Sequence, residues 1–344
     1  MNRSRIEYCD HTFNMVTGCL HGCDYCYAEK MVKRFCGDSR ANLARTGEYH
    51  PVQLNDGREG YVLDKPMRNE KGEIIVYPFG FSPTLHRYRA ERLDVLKRGN
   101  NIFVGAMADL FGEWVPDEWI QEVFEICEEH PLNNYLFLTK NPIRYPELLK
   151  KGLLPMDENY WYGSTITDEE TPFFADPRFN TFVSIEPLLK PFQSRMPPGM
   201  GDGLSHIKWI IIGAETGRRK GKVVPEFDWI KNIVRRADTA GVPVFMKNSL
   251  ISIVGEQNMR REYPEALKKR KLSPKMEEKL YDICNCCGKK MKIRKMVTLQ
   301  AQSLRNSSPK KYGYMCWECF EEHCNTLDVD IPDIPNPKNG EETV

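Results

Sequence analysis

The stretch TGCLHGCDYCYAEK, Thr17 to Lys30, places three cysteines within eight residues, with a tyrosine on each side of the third. Cys19, Cys23 and Cys26 follow the spacing C-x3-C-x2-C. Three thiolates cannot close a tetrahedral zinc site by themselves. They can hold three irons of a [4Fe-4S] cubane and leave the fourth open to a ligand. Zinc completed by His11 or His21, or three unrelated thiols, are the alternative readings of the same residues.

Working outward, the preceding TFNMVTG, from Thr12, reads as a strand and the following YAEKMVKRF, from Tyr27, as a helix, so the cysteines occupy a strand-to-helix loop. From Asn101 to about Ser249 the sequence alternates short apolar runs, rich in β-branched and aromatic residues, with segments of helical period, the rhythm of βαβ units. NIFVGAMADL, NYLFLTK, YWYGSTIT, NTFVSIEPLL, KWIIIGAET and PVFMKNS are the strand candidates, with IIVYPFGFSP a further one upstream. PDEWIQEVFEICEEH reads as a helix with Pro116 near its first turn. EFDWIKNIVRRADTAG is a second, ending on Gly241 as a C-cap. This predicts an α/β fold, a (β/α) barrel of about six to eight strands.

In such barrels functional groups gather at the C-terminal strand ends. The candidate strands finish on Asp109, on Thr139 and Lys140, on Ser164 and Thr165, on Ser184 and Glu186, on Glu215, and on Lys247. Polar endings on six successive strands favour a ring of residues about one cavity.

At its other end the chain carries a second cysteine group. Cys284-x2-Cys287 is followed after 28 residues by Cys316-x2-Cys319, a paired-knuckle pattern that suits tetrahedral zinc in a small zinc-ribbon or treble-clef-like module. Cys286 and Cys324 are left over, which keeps open a different ligand choice or an auxiliary Fe-S cluster. The net charge of +1 conceals an uneven distribution: residues 260–311 hold sixteen Lys and Arg against five acids, and residues 318–344 hold eight acids and one lysine. Lys289, Lys290, Lys292, Arg294 and Lys295 follow the first knuckle, and Arg305, Lys310 and Lys311 precede the second. With Tyr312, Tyr314 and Trp317 they form a cationic, aromatic surface suited to phosphates and bases. A solvated basic face, or a dock for the acidic tail, is the plainer reading.

These patterns divide the chain into a barrel domain at 1–255, with an aperiodic polar insertion at about 34–73 as lid or loop, a basic zinc module at 256–327, and an acidic, Pro-rich disordered tail at 328–344. No basic-plus-apolar leader precedes the first cysteine, and no apolar run approaches the roughly 20 residues that span a bilayer, so a cytoplasmic protein without membrane partners is expected. Twelve cysteines in such a chain argue for metal ligation over disulfides.

Through NMVTGCLHGCDYCYAEK, IFVGAMADLFGEWVP, LFLTKNP, SIEPLL, IIGAETG and FMKNS, spanning about Asn14 to Ser249, the sequence resembles the radical S-adenosylmethionine (SAM) superfamily. It is most similar to phage-type radical-SAM-like proteins classed by a domain of unknown function, and more distantly to spore photoproduct lyase. The resemblance implies that the open iron chelates SAM, and that an electron from an external donor of flavodoxin or ferredoxin type cleaves it to a 5'-deoxyadenosyl radical that abstracts hydrogen from substrate. It also places Tyr25 near the adenine. The superfamily's Gly-Gly-Glu, which holds the methionine amino group, is missing around VYPFGFSP. Asp109, Glu186 and Glu215 are the carboxylates that can replace it, and Lys140 and Lys247 the cations for the SAM carboxylate or an anionic substrate. Cys9 and Cys36 are possible hydrogen donors to a product radical. The expected activity is a radical SAM modification or repair of a nucleic acid, DNA or RNA, with SAM, a [4Fe-4S] cluster and zinc as cofactors. Two other readings are a noncatalytic nucleic-acid-binding Fe-S/zinc protein and an activating enzyme that installs a glycyl radical on a protein.

Overall fold

The computed structural model describes residues 4–93, 99–192, 206–217, 219–268, 281–288, 290–292, 296–301 and 310–326. The chain divides into two units, residues 1–269 and 270–344.

The first unit opens with β1 (His11–Phe13) and β2 (Val16–Thr17), then α1 (Tyr27–Phe35), α2 (Ser39–Leu43), β3 (His50–Gln53), β4 (Glu59–Leu63) and β5 (Thr84–His86). There follow β6 (Asn101–Val104), α3 (Asp117–Glu129), β7 (Asn134–Thr139), α4 (Arg144–Lys150), β8 (Tyr160–Thr165), β9 (Asn180–Ile185), β10 (Ile207–Ile212), α5 (Phe227–Ala240), β11 (Val244–Met246) and α6 (Ile251–Val254). Seven strands form one parallel sheet in the order β1-β6-β7-β8-β9-β10-β11.

Both faces of this sheet are apolar, and they alternate residue by residue as a strand requires. On β7, Tyr135 and Phe137 pack outward with Phe124 of α3, whose ring lies 5.3 Å from that of Phe137, while Leu136 points inward. The inward set is Phe103, Leu136, Trp161, Phe182, Trp209 and Phe245, one from each of β6 to β11. Tyr8 lies 6.0 Å from Phe103 on β6 and 6.0 Å from Phe245 on β11. Five strand spacings of about 4.8 Å would hold those rings some 24 Å apart in a flat sheet. The sheet is therefore curled into a half-barrel, with Tyr8 filling its concave side.

Its lower end is sealed by residues 259–268. Asn101 and Asn134, the first residues of β6 and β7, donate to the carbonyls of Leu267 (2.8 Å) and Ala266 (3.2 Å), and the Trp209 indole donates to the Glu262 carbonyl at 2.9 Å. The same strap pairs with β11, covering an edge strand. Its basic residues had suggested the zinc module, but they are engaged inside the first unit: Arg260 with Asp238 and Glu262, Arg261 with Glu7.

The segment 34–73 departs from the aperiodic loop expected. Its β3 and β4 join β2 and β5 in a second, four-stranded sheet, order β2-β5-β4-β3, against which Tyr49, Tyr61 and Phe79 cluster in edge-on and tilted contacts. The strand expected at IIVYPFGFSP is instead largely turn, and the pairing strand comes just after it, at Thr84–His86.

The second unit contains β12 (Tyr281–Ile283) paired with β13 (Lys290–Lys292), β14 (Met296–Ala301) paired with β15 (Lys310–Cys316), and α7 (Trp317–Thr326). Lys289, Arg294, Lys295 and Arg305, and the tail at 328–344, lie outside the described residues. Among the described residues no helix is long and apolar enough to cross a membrane.

Candidate functional site

The cysteine loop leaves the sheet at Gly18, whose φ of +90° and lack of a side chain let it pass against the Ser82 carbonyl, which any Cβ would overlap. Gly18 N–H donates to Met107 O at 2.9 Å, and Cys19 N–H to Phe81 O at 3.3 Å, so both sheets anchor the loop. Cys19, Cys23 and Cys26 are free thiols and half-buried. Cys26 caps α1: its sulfur accepts the Glu29 N–H at 3.3 Å, at the positive end of the helix dipole. Burial, above the opposing backbone contact at His21, pushes Cys19 up to about 12, and burial outweighs Lys140 in raising Cys23. A cation bound among these sulfurs would favour their thiolate forms. Three free thiols on one anchored loop, one of them at a helix N-terminus, fit the donor set of an iron–sulfur cluster with an open iron. Among the described residues their ligand atoms are not gathered as closely as those of the C-terminal set.

The loop lies across the C-terminal ends of the strands, and side chains bind it there. His21 Nε2 is 2.7 Å from Asp109 Oδ2, and the imidazole meets the Trp114 ring edge-on at 4.8 Å. Asp109, buried past the end of β6, also accepts Phe111 N–H on Oδ1 (3.1 Å) and Lys140 N–H on Oδ2 (2.8 Å). Lys140, at the end of β7, sets its ammonium 3.4 Å from the Tyr25 hydroxyl and 5.2 Å from that ring's centroid. Tyr27 donates its hydroxyl to Ala106 O at 2.5 Å while its ring stays exposed.

The remaining strand ends carry two ion pairs. Glu186, after β9, pairs with Lys247, after β11. Glu215, after β10 and buried, receives Arg219 through Nε (2.7 Å) and Nη2 (2.8 Å), and this guanidinium holds its carboxyl below the usual range. Sequence reading missed the His21–Asp109 tie and the roles of Arg219, Tyr8 and Tyr27. Only Arg219 had a local signal, four residues after Glu215. Cys9 is half-buried and donates to Ser4 Oγ at 3.2 Å; Cys36 caps the end of α1.

In the second unit Cys284, Cys287, Cys316 and Cys319 bring their sulfurs within 4.8 Å of one another. Cys287 and Cys316 are 3.9 Å apart, close to the edge of about 3.8 Å that a tetrahedron of Zn–S bonds near 2.3 Å requires. Cys316 N–H donates to Cys284 Sγ at 3.3 Å, and Gly288 N–H to Cys284 O at 3.0 Å, closing the knuckle. Burial raises Cys284, but the N–H groups of Cys287, Cys316 and Cys286 together outweigh it and bring the thiol to about 6, while the neighbouring thiol of Cys316, then burial, push Cys319 up. Four sulfurs at this spacing could hold a metal ion. Cys286 and Cys324 stand outside the set.

A family model described as "Protein of unknown function (DUF5131)" matches residues 3–297. No curated protein matches the chain. The chain aligns with a solved cysteine-to-alanine mutant of spore photoproduct lyase with dinucleoside spore photoproduct, over 95% of this chain and 74% of that one, at 10% identity. The TM-score is 0.33.

Proposed function

We propose that this chain, which belongs to the DUF5131 family, is a radical SAM enzyme acting on nucleic acid. One observation carries the reading: a loop bearing three free thiols lies on the C-terminal rim of a parallel half-barrel, tied to the ends of β6 and β7 by His21–Asp109, Tyr27–Ala106 and Tyr25–Lys140. When bound through Cys19, Cys23 and Cys26, a [4Fe-4S] cluster with SAM would supply one-electron cleavage and a carbon radical able to take hydrogen from substrate.

This chain's residues provide position and shelter. Asp109, itself held by the Phe111 and Lys140 N–H groups, fixes the loop through the His21 imidazole. Tyr25 offers a flat face, held by the Lys140 ammonium, against which a purine can stack. The aromatic inner face and the 259–268 strap keep water from entering from below, which protects a reactive radical from stray hydrogen donors.

The four C-terminal cysteines hold zinc in this reading, and the basic segment of the sequence around them meets phosphates. The electron comes from a flavodoxin- or ferredoxin-type protein. Anaerobic reconstitution tests the assignment: about four irons per chain and a visible absorption altered by SAM are expected, and both should be lost when Cys19, Cys23 and Cys26 are all alanine. A chain that takes up no iron–sulfur cluster would refute it.

A further inference from the structure

Among the described residues nine large apolar side chains stay exposed, and five of them gather about α1, the helix that leaves the cysteine loop. Tyr27, Met31 and Phe35, spaced by four along α1, are 51%, 40% and 62% exposed. The helix does not need this face for its own packing. Ala28 and Val32 already bury its other side against Met107, with Tyr77 and Phe81 packed beside them. On the segment that leads to Tyr77, Ile75 packs against the cluster of Tyr61 and Phe79, while its neighbours Ile74 and Val76 stay exposed.

The apolar face is rimmed by charge of one sign. Residues 27–36 hold Lys30, Lys33 and Arg34 against Glu29 alone. All three cations are exposed; Lys33 takes Glu29 at 2.8 Å, and Lys30 and Arg34 have no ion-pair partner among the described residues. Hydrogen bonds join this helix to the cysteine loop and to the rim. Cys26 Sγ caps it on Glu29 N–H, and the Tyr27 hydroxyl fixes its first turn to Ala106 O. About nine residue steps of about 1.5 Å separate Cys26 from Phe35, so the whole stripe lies within about 14 Å of that thiol along the helix axis.

We infer that this face of α1 is the dock for an acidic one-electron carrier protein, with Tyr27, Met31, Phe35 and Val76 as its apolar centre and Lys30, Lys33 and Arg34 as its rim. Aromatic residues and Met at the centre of an exposed patch, with charge at the edge, are the composition of a protein interface. Met31, Ile74 and Val76 offer no ring on which a nucleic-acid base could stack. A two-fold pair of copies through this face would set its cations against one another, whereas an acidic partner is drawn to them. Electron-transfer contacts are small, which suits a dock built on one helix face. The carrier loses one electron and the iron–sulfur cluster gains it, with no bond made or broken. The inference rests on the SAM reading above and adds to it where the electron enters.

Its test is binding and electron entry. An acidic flavodoxin and an acidic ferredoxin are titrated calorimetrically into the full-length, cluster-loaded chain, and bleaching of its visible absorption is followed with each reduced carrier and with dithionite. The wild type should bind at least one carrier, more weakly as salt rises, and accept its electron. Met31→Glu with Phe35→Glu should weaken that binding by about tenfold or more and slow reduction by the carrier, while dithionite bleaches the cluster as in the wild type. Met156→Glu, at an exposed apolar residue elsewhere, should change neither. Lys30→Ala with Arg34→Ala should flatten the salt dependence, and it decides the matter if the double glutamate variant takes up no cluster. Unchanged binding and reduction in both double variants overturn the inference while the SAM reading stands. A double glutamate variant that keeps the carrier but loses DNA binding, or loses a dimer on gel filtration, gives the face to nucleic acid or to a second copy and also overturns it. A wild type that dithionite reduces but neither carrier binds overturns the inference alone; one that holds no cluster overturns the SAM reading with it.

Discussion

His21 Nε2 lies 2.7 Å from Asp109 Oδ2 across 88 residues of sequence, and through that contact the cysteine loop and the rim of the half-barrel become one structure. Asp109 simultaneously accepts two backbone N–H groups, so its carboxylate is the junction of the loop, β6 and β7. Asp109→Ala should strand two donors in a buried place and cost about 2 to 4 kcal/mol, at about 1 to 3 kcal/mol for each group left unsatisfied, less what water recovers. Thermal unfolding should fall by several degrees, and iron retained on gel filtration should fall with it. Unchanged iron retention would show that the tie does not hold the loop.

Zinc in the second unit should be separable from iron in the first. Cys316→Ser with Cys319→Ser removes half of the converging sulfurs. Elemental analysis should show zinc lost and iron kept, because small metal modules take folding free energy from their ion. Loss of both metals in step would favour an auxiliary cluster at these cysteines.

The pH dependence of stability should carry a mark of Glu215. Arg219 holds its folded-state carboxyl below the ordinary value, so the pair contributes stability above the unfolded pKa of about 4.3, and that contribution is lost as pH falls through the folded value. Denaturant unfolding of wild type and Glu215→Gln should therefore differ by a constant amount from pH 7 to about 5, and converge at lower pH. A difference that persists undiminished to acid pH would mean the pair's electrostatics are not its source.

Nucleic-acid binding should depend steeply on salt. Replacing Lys289, Lys290 and Lys292 together by alanine should reduce the slope of log K against log salt by about 2 to 3 on duplex DNA, at about 0.9 for each phosphate that a lysine no longer neutralises. No binding to DNA or RNA at low salt would remove nucleic acid as the substrate.

Much of the half-barrel was legible because its strands are long enough to show their pattern. Tyr160–Thr165 and Ile207–Ile212 are apolar runs bounded by turn residues, and α5 ends on Gly241 at φ +68° as its sequence implied. The second sheet was not legible. Its strands have two to five residues, and β3, HPVQ, is mostly exposed on both faces, so no period could form. The strap at 259–268 was misread because net charge counts arginines without their partners, and Arg260 and Arg261 are paired with acids far away in sequence. The same blindness applied to the site. Each polar strand end was visible, but which carboxylates are already occupied depends on contacts such as His21–Asp109 that no local pattern encodes.

The central claim is that Cys19, Cys23 and Cys26 support reductive cleavage of SAM, and the most direct measurement is 5'-deoxyadenosine formed by the anaerobically reconstituted chain with dithionite and SAM. The nucleoside should appear with the wild type and be absent when all three cysteines are alanine. A wild-type protein carrying its full cluster, reduced and saturated with SAM, that yields no 5'-deoxyadenosine would contradict the account.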